Sequence, residues 1–307
     1  MRPPWSHVLR KLDGELVEAK VGEWAESVLT ALPPTTGEPE AMAIDGKTLR
    51  GSRQQGAPAT QLRSGRSHRL GLTLGPQAVA DKTNEIPVLE VVVRGLVVEG
   101  RVITVDALLT QRAIAERIVH EGGDYVMIVQ GNQPQLQQDI QLVFQDPPPL
   151  AAPMRATETV DSGHGRVEQR CLTASTALVG YSDWPGLAQV FQVERSVTIK
   201  KSGAQRHEVV SGVTSLGPEQ AGPERVLGLV RQHWEIENKV HWVRDVTFDE
   251  DRSQVRCDSI PQVMAAFRNT AIGLMRRAGE TNIAAACRRF AAQPWSALAL
   301  IGIMPEN

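Results

Sequence analysis

The sequence predicts an α/β fold with a β-rich insertion and C-terminal helices, and three patterns support this class. In the first 145 residues, short apolar or β-branched runs alternate with segments whose apolar residues are spaced by three and four. Between residues 155 and 215, polar and apolar residues instead alternate with period two, as in antiparallel strands. After Pro223 the helical spacing returns. Such patterns alone support an α/β fold with an insertion.

The N-terminal elements follow from these patterns in order. Residues 5–32 have the spacing of one or two helices, which the Pro-containing run 33–40 ends. The apolar strand Ala41–Asp45 comes next, and a basic turn, Gly46–Gly51, follows its terminal Asp. We expect Arg53–Ser67, which is rich in Gly, Gln and Ser, to form a mobile loop.

The remaining elements divide the chain into four regions. The predicted strands are residues 69–74, 78–80, 101–105 and 124–129. One predicted helix begins at Glu85, and four others span residues 110–121, 133–144, 260–277 and 282–292. We expect a helical N-terminal segment (1–40), the first part of the core (41–145), the β-rich insertion (146–222) and the helical remainder of the core (223–307).

Composition limits the class of protein and its compartment. The net charge of −2 gives no overall nucleic-acid signal, although Lys47–Arg69 contains no acidic residue. The three cysteines are far apart and form no CxxC pair, which argues against disulfides and a cysteine zinc site and suits a reducing cytoplasm. Without a signal peptide or an apolar run that could span a bilayer, we expect a soluble cytoplasmic protein with no membrane partner.

The segment Arg231–Asp251 has the pattern of one amphipathic helix. At 3.6 residues per turn, His233, Glu237, His241 and Arg244 lie on one face, while two Trp and several aliphatic residues cover much of the rest. Such a helix is too charged to be fully buried and too apolar to be fully solvated. We expect it to pack into a core and present Glu237 to a ligand.

Two Asp residues predicted at strand ends, Asp45 and Asp106, complete a possible metal site with Glu237. Phosphoryl transfer on a polynucleotide requires an activated hydroxyl and neutralisation of charge on the phosphate, which two metal ions can supply. Mg²⁺ prefers oxygen ligands, so carboxylates on rigid elements suit it. The alternative is that each Asp is an ordinary turn or cap residue.

Five motifs, in this order, resemble bacterial insertion-sequence transposases of the DDE class, most closely the H-repeat-associated proteins. They are AIDGKTLRGS, TVDALLTQ, GGDYVMIVQGNQPQL, HGRVEQR and RQHWEIENKVHWVRDVTFDEDRS. The resemblance runs from about residue 8 to the C-terminus. It implies a ribonuclease-H-like core, in which helices flank a mixed sheet, and a catalytic and metal-binding triad of Asp45, Asp106 and Glu237.

The resemblance also implies a reaction and its partners. Mg²⁺, for which Mn²⁺ can substitute, would support a nick at the element end, and the freed 3′-hydroxyl would attack target DNA. Double-stranded DNA, as element ends and target, would be the substrate of a homodimer in the bacterial cytoplasm, on the nucleoid when bound. Relatives begin with a further helical segment, so residues 1–40 are expected to be its remnant. The alternatives are an inactive remnant that only binds DNA and a stand-alone metal-dependent nuclease.

Supporting residues surround the predicted triad. Lys47 and Arg50 follow Asp45 in sequence and are candidates for phosphate contacts, with surface solvation as the alternative. Arg231 and Arg244 flank the predicted Glu and could hold a phosphate, or form a simple surface charge pattern. Asn238 is a candidate for orienting the site.

Other residues have weaker predictions. His164 and Arg166 belong to the HGRVEQR motif, which in relatives approaches DNA; a plain turn is the alternative. Trp234 and Trp242 are expected in the core rather than stacked on bases. The acidic run 249–251 is expected to be a helix-terminating loop rather than a metal site.

Overall fold

The structure, a computed structural model, describes two compact units. The described residues are 5–31, 37–49, 60–69, 71–80, 96–149, 151–236, 242–253, 255 and 259–303, with the backbone alone at 5–7, 45–49, 60–64, 73–80 and 235–236. Unit 1 comprises Met1–Val97 and Trp234–Asn307, and unit 2 comprises Val98–His233. The predicted four-region division of the chain remains a prediction.

Helices and strands together make a mixed α/β protein. The helices of the described part are α1 (Trp5–Arg10), α2 (Gly14–Ala31), α3 (Arg112–His120), α4 (Pro134–Gln145), α5 (Pro223–Ile236), α6 (Ile260–Arg277), α7 (Ile283–Ala292) and α8 (Pro294–Leu300). The strands are β1 (Ala41–Leu49), β2 (Thr60–Ser67), β3 (Thr73–Ala80), β4 (Val102–Val105), β5 (Asp124–Val129), β6 (Arg155–Gly163), β7 (Arg166–Ser175), β8 (Gln189–Ile199) and β9 (Gln205–Thr214). None of the described helices has the length and hydropathy needed to cross a bilayer.

In unit 1, the three strands β1, β2 and β3 pair in antiparallel fashion, with β2 in the middle. The predicted strand 41–45 is longer than expected, because Gly46–Leu49 continues it and pairs with 60–63. The predicted turn Gly46–Gly51 was therefore wrong at residues 46–49, and the predicted loop Arg53–Ser67 was wrong at residues 60–67. Residues 50–59 lie outside the described residues. Cross-strand hydrogen bonds satisfy the backbone N–H and C=O groups of the polar, glycine-containing segment Gly46–Leu49, and their contribution outweighs its weak strand propensity.

The helices of unit 1 pack on these strands and on one another. The two helices predicted near the N-terminus are α1 and α2, and α2 packs on β3 and α6. One hydrophobic cluster joins β1 to the C-terminal helices and consists of Ala43, Val243, Ile272, Met275, Ile283 and Ala286.

The predicted single helix over Arg231–Asp251 does not continue to its end. The described part contains α5, a π-helical turn at Val243–Thr247 and a 3₁₀ turn at Glu250–Arg252. Asp249 lies between them with φ 51°, a left-handed conformation that ends helical geometry. Residues 237–241 lie outside the described residues.

In unit 2, the strands β4, β5, β9, β8, β7 and β6 are neighbours in that order. Only β4 and β5 pair in parallel among the described strands of this unit, and α3 connects them. The other pairs are antiparallel, so the period-two pattern of residues 155–215 is confirmed as four antiparallel strands.

Tyr125 anchors β5 in the core of unit 2. Its side chain is 0 % exposed, and its hydroxyl donates a hydrogen bond of 2.8 Å to the Pro185 carbonyl. Burial raises the pKa of this phenol well above its usual range. The folded protein therefore holds the neutral phenol more strongly than the unfolded chain does.

Tyr125→Phe is expected to lower the free energy of unfolding at neutral pH by about 1 kcal/mol, because one buried hydrogen bond is removed. A raised folded-state pKa contributes stability below the unfolded pKa of about 10, and this contribution is lost as the pH rises above that value. Denaturant unfolding from about pH 8 to about pH 11 should therefore give a steeper alkaline loss for the native chain than for the variant. Parallel pH profiles would contradict this prediction.

Candidate active site

Asp106 lies where the buried strand β4 ends. All four residues of that strand are buried, and Asp106 itself is half-buried. It caps the 3₁₀ turn Ala107–Leu109, whose Leu109 N–H donates to the Asp106 Oδ1 at 3.0 Å. The cap fixes the carboxylate, because its rotamer is tied to the backbone that follows.

Side-chain hydrogen bonds from Thr110 and Asn132 stabilise the turn after Asp106. The Thr110 hydroxyl donates to the Asp106 carbonyl at 2.9 Å. The Asn132 amide donates to the Ala107 carbonyl at 2.6 Å and to the Thr110 carbonyl at 2.9 Å. Asn132 was not among the predicted site residues, although it lies in the GNQPQ part of a motif that singled out this loop.

Thr104 and His233 form a buried hydrogen bond that joins β4 to α5. The Thr104 Oγ1 lies 2.8 Å from the His233 Nδ1, and the two residues are 1 % and 7 % exposed. Thr104 precedes Asp106 by two residues and therefore faces the same side of the strand. The predicted helix face containing His233 is thus buried at this position, rather than open to a ligand.

Asp45 lies in the middle of β1 and not at its end. Its backbone is paired opposite Ser64 of β2, and Lys47 lies two residues further along, opposite Leu62. The strand before it is buried from Ala41 to Ile44. The side chains of Asp45 and Lys47 lie outside the described residues, as do Arg50, Glu237 and Asn238 entirely.

The described side chains provide one carboxylate of the predicted metal site. Among them, no three His, Cys, Asp or Glu residues are grouped so that they could hold a metal ion. Asp106 fits a hard divalent cation, because it offers carboxylate oxygens on a capped, half-buried turn. The other two predicted ligands, Asp45 and Glu237, have side chains outside the described part of the chain.

Arg231 is tied to the β-rich strands of unit 2. Its guanidinium donates to the Asp161 Oδ2 at 2.9 Å, and the Arg231 side chain is 33 % exposed. The same carboxylate oxygen accepts a 2.8 Å hydrogen bond from Arg170. Arg231 therefore remains partly accessible while its direction is set by Asp161.

Arg244 is buried in unit 1. Its side chain is 1 % exposed and donates a hydrogen bond of 2.8 Å through Nε to the Glu250 Oε2, while Nη2 lies 2.7 Å from the same oxygen as an ion pair. Arg268 donates to the other oxygen of this carboxylate at 2.8 Å. Burial lowers the pKa of the Arg244 guanidinium, whereas Glu250 raises it. The guanidinium is thus engaged inside unit 1, and we do not propose Arg244 as a DNA contact.

The buried network around Glu250 was not predicted. Arg244 and Arg66 of β2 both donate to the Asn269 Oδ1, each at 3.3 Å. Glu250 is 3 % exposed, so this part of the acidic run 249–251 is a buried ion pair and not only a surface loop. No sequence pattern indicated which of the acids turns inward.

His164 and Arg166 lie at the turn between β6 and β7. Both residues are exposed, and His164 has a left-handed φ of 49°. The Arg166 Nε lies 2.5 Å from the Glu168 carboxylate. Of the two predicted core tryptophans, Trp234 is half-buried, but Trp242 is 57 % exposed, which contradicts its prediction.

Comparisons with known proteins agree with the predicted family. A family model described as the transposase DDE domain matches residues 36–274. The chain is 30 % identical over 245 residues to "Putative transposase YncI" of Escherichia coli O157:H7, covering 77 % of this chain and 62 % of that protein. It is 29 % identical over 255 residues to "H repeat-associated putative transposase YhhI" of Escherichia coli K12, covering 78 % and 65 %. The chain thus spans less than two thirds of the length of these relatives.

The matched region runs from the residues before β1 into α6 and includes all five motifs. The predicted fold class, a ribonuclease-H-like α/β core with a β-rich insertion, is confirmed. The predicted resemblance to the H-repeat-associated proteins is confirmed as well. This chain belongs to the DDE transposase family.

Proposed function

We propose that this protein cleaves DNA at the ends of an insertion sequence and joins the freed 3′-hydroxyl to target DNA. The proposed catalytic residues are Asp45, Asp106 and Glu237. The proposed substrate is double-stranded DNA, as element ends and target, bound by a homodimer on the bacterial nucleoid. Family membership supports the class of reaction, and the geometry around Asp106 supports the choice of residues.

The hydrogen bond between Thr104 and His233 carries this proposal. Thr104 lies two residues before Asp106 on β4, and His233 lies four residues before Glu237. The hydrogen bond thus ties the strand that Asp106 follows to the helix that ends one residue before Glu237 in the sequence.

A second contact, in unit 1, supports the role of Asp45. Ala43 lies two residues before Asp45 on β1 and packs in one hydrophobic cluster with Val243. Val243 follows Glu237 by six residues. The strand that carries Asp45 is thus packed against the segment that follows Glu237.

The DDE transposase family uses divalent metal ions. Asp45, Asp106 and Glu237 would hold Mg²⁺, or Mn²⁺ in its place. Bound there, the metal would lower the pKa of a hydroxyl nucleophile and neutralise charge on the phosphate. Asp106 suits this role because its carboxylate is already oriented by Leu109 before any ligand arrives.

The other residues would bind and orient DNA. Lys47 and Arg50 follow Asp45 and would neutralise phosphates near the scissile bond. Arg231, directed by Asp161, would contact a flanking phosphate through the third of its side chain that is exposed. Asn238, beside the proposed catalytic Glu, would orient the site, and the turn at 163–166 would contribute His164 and Arg166 to DNA binding.

The proposal is tested with duplexes that carry the element's own ends. Metal-dependent nicking, followed by covalent joining of the 3′ end to a second duplex, is the expected result. Cleavage without joining would instead support a stand-alone nuclease. Binding without cleavage, in a chain that is folded and binds Mn²⁺, would support a protein that has kept only DNA binding.

Thr104→Val tests whether Thr104 and His233 act as positioning residues. The variant keeps the size of the side chain but removes the hydroxyl, so His233 no longer has this partner. We expect the single-turnover cleavage rate to fall by about 10- to 100-fold, since a shift of about 1 Å in reacting groups has an effect of this order. The affinity for DNA should not change.

Thr104→Ser restores the hydroxyl and should restore the rate. A purely structural role would instead lower thermal stability in Thr104→Val without this selective loss of rate. Equal losses of rate in the Val and Ser variants would contradict positioning by the hydrogen bond.

A further inference from the structure

The turns of two neighbouring hairpins in unit 2 are joined into one structure. The turn between β6 and β7 spans residues 163–166, and the turn between β8 and β9 spans 199–205. The Lys200 N–H donates to the Gly165 carbonyl at 2.8 Å, and the Lys200 Nζ donates to the Ser162 hydroxyl at 2.8 Å. The two turns therefore present their side chains on one continuous surface.

The backbone of both turns is closed by hydrogen bonds. In the second turn, the Gly203 N–H donates to the Ile199 carbonyl at 2.8 Å, and the Ile199 N–H donates to the Ala204 carbonyl at 2.9 Å. In the first turn, His164 and Gly165 both have positive φ values, 49° and 75°. The side chains thus project from a defined backbone rather than from an extended loop.

The residues on this surface are cationic, in a chain whose net charge is −2. We define the cationic tip as His164, Arg166, Lys200, Lys201 and Arg206, all of which are exposed. Neither segment 162–167 nor segment 195–207 contains an Asp or Glu. Four permanent positive charges are therefore concentrated at one end of the four strands β6, β7, β8 and β9.

Within the part of the chain that the structure describes, only Arg166 of the tip forms an ion pair, and its partner is Glu168. Glu168 is 5 % exposed and is held within the sheet by Arg166, Arg170 and Arg195. Among the residues that the structure describes, no carboxylate forms an ion pair with Lys201 or Arg206. The tip therefore offers unneutralised charge to an anionic partner.

We propose that the cationic tip binds the sugar–phosphate backbone of duplex DNA without reading its sequence. This inference deepens the proposed function, since it names residues that would hold DNA beyond the site of chemistry. Lysines on flexible stems act as point charges, which suits phosphates rather than base edges. The tip contains no Phe, Trp or Tyr on which unpaired bases could stack, so a duplex is favoured over a single strand.

The test compares two triple variants with the same change in net charge. One is Lys200→Ala, Lys201→Ala, Arg206→Ala in the tip. The control is Arg10→Ala, Lys11→Ala, Lys20→Ala, which removes three exposed cations from the α1–α2 region of unit 1. Binding to a duplex of random sequence and to a duplex with the element end is measured by fluorescence anisotropy over a salt series in EDTA.

The tip variant is expected to bind both duplexes at least about tenfold more weakly at low salt. The slope of log K against log salt should fall by about 0.9 for each phosphate that the variant no longer neutralises. The control variant should bind like the native chain. His164→Gly, which suits the left-handed backbone and removes the imidazole, should retain the folded turn and weaken binding less.

Three results would overturn the proposal. They are unchanged binding by the tip variant, an equal loss in the control variant, and a loss confined to one of the two duplexes. Because EDTA removes metal-dependent chemistry, these results are independent of cleavage. If the tip variant loses DNA binding and the native chain does not cleave DNA, the result supports DNA binding by the tip and contradicts the proposed enzymatic function. If the native chain cleaves DNA and the tip variant binds DNA normally, only the proposal for the tip is contradicted.

Discussion

Asp106→Asn is expected to lower the rate of metal-dependent DNA cleavage by on the order of 10³-fold. A metal ion contributes several kcal/mol of transition-state stabilisation, and each 1.4 kcal/mol corresponds to about a factor of ten in rate. The substitution isolates this effect, because Asn caps helical turns as well as Asp and can accept the same hydrogen bond from Leu109. The free energy of unfolding should therefore change little, and single-turnover assays measure the rate directly.

The matched control is Asp183→Asn, since the Asp183 side chain is 90 % exposed and pairs at the surface with Arg112. This control should cleave DNA at the native rate. Asp45→Asn and Glu237→Gln should lose activity to the same degree as the Asp106 variant. If Asp106→Asn cleaves within a few-fold of the native rate, Asp106 does not hold the metal.

Glu250→Gln is expected to have the largest effect on stability, lowering the free energy of unfolding by about 3–5 kcal/mol. Arg244 and Arg268 would lose their shared carboxylate, and the 1 % exposed guanidinium of Arg244 would remain buried without a countercharge. The measurement is urea or guanidinium unfolding followed by circular dichroism. Arg252→Ala removes an exposed ion pair and should change stability by less than about 1 kcal/mol.

A double substitution separates the cost of breaking the pair from the contribution of the pair itself. Arg244→Met together with Glu250→Met removes both charges, so it should destabilise the protein less than Glu250→Gln alone. If the double variant loses as much free energy of unfolding as Arg244→Met and Glu250→Met lose in sum, the two residues do not act as a unit.

Local patterns predicted those parts of the fold that depend on local structure. The alternation of β4, Asp106 and α3 was predicted because a β-branched run, a capping Asp and a closing Gly pair are adjacent in sequence. The helix α6 has the predicted bounds. The proposed triad was predicted from the resemblance of its motifs to a known family. The position of a carboxylate after a strand was not enough, because ordinary turn and cap residues occupy the same position.

Interactions between distant residues could not be predicted in this way. The extension of β1 depends on pairing with β2, and the hydrogen bond between Thr104 and His233 joins residues 129 positions apart. Helical periodicity placed Arg244 on the face of Glu237. It gave no sign that a left-handed Asp249 would turn Glu250 back towards that Arg.

Iron-directed cleavage of the chain would show whether Asp45, Asp106 and Glu237 bind metal together. Fe²⁺ replaces Mg²⁺ at oxygen-ligand sites, and with ascorbate and peroxide it cuts the backbone close to where it is bound. We predict cuts near all three residues, suppressed by excess Mg²⁺ and absent in Asp106→Asn. Cuts near only one of the three, or a pattern that neither Mg²⁺ nor the substitution changes, would contradict the account.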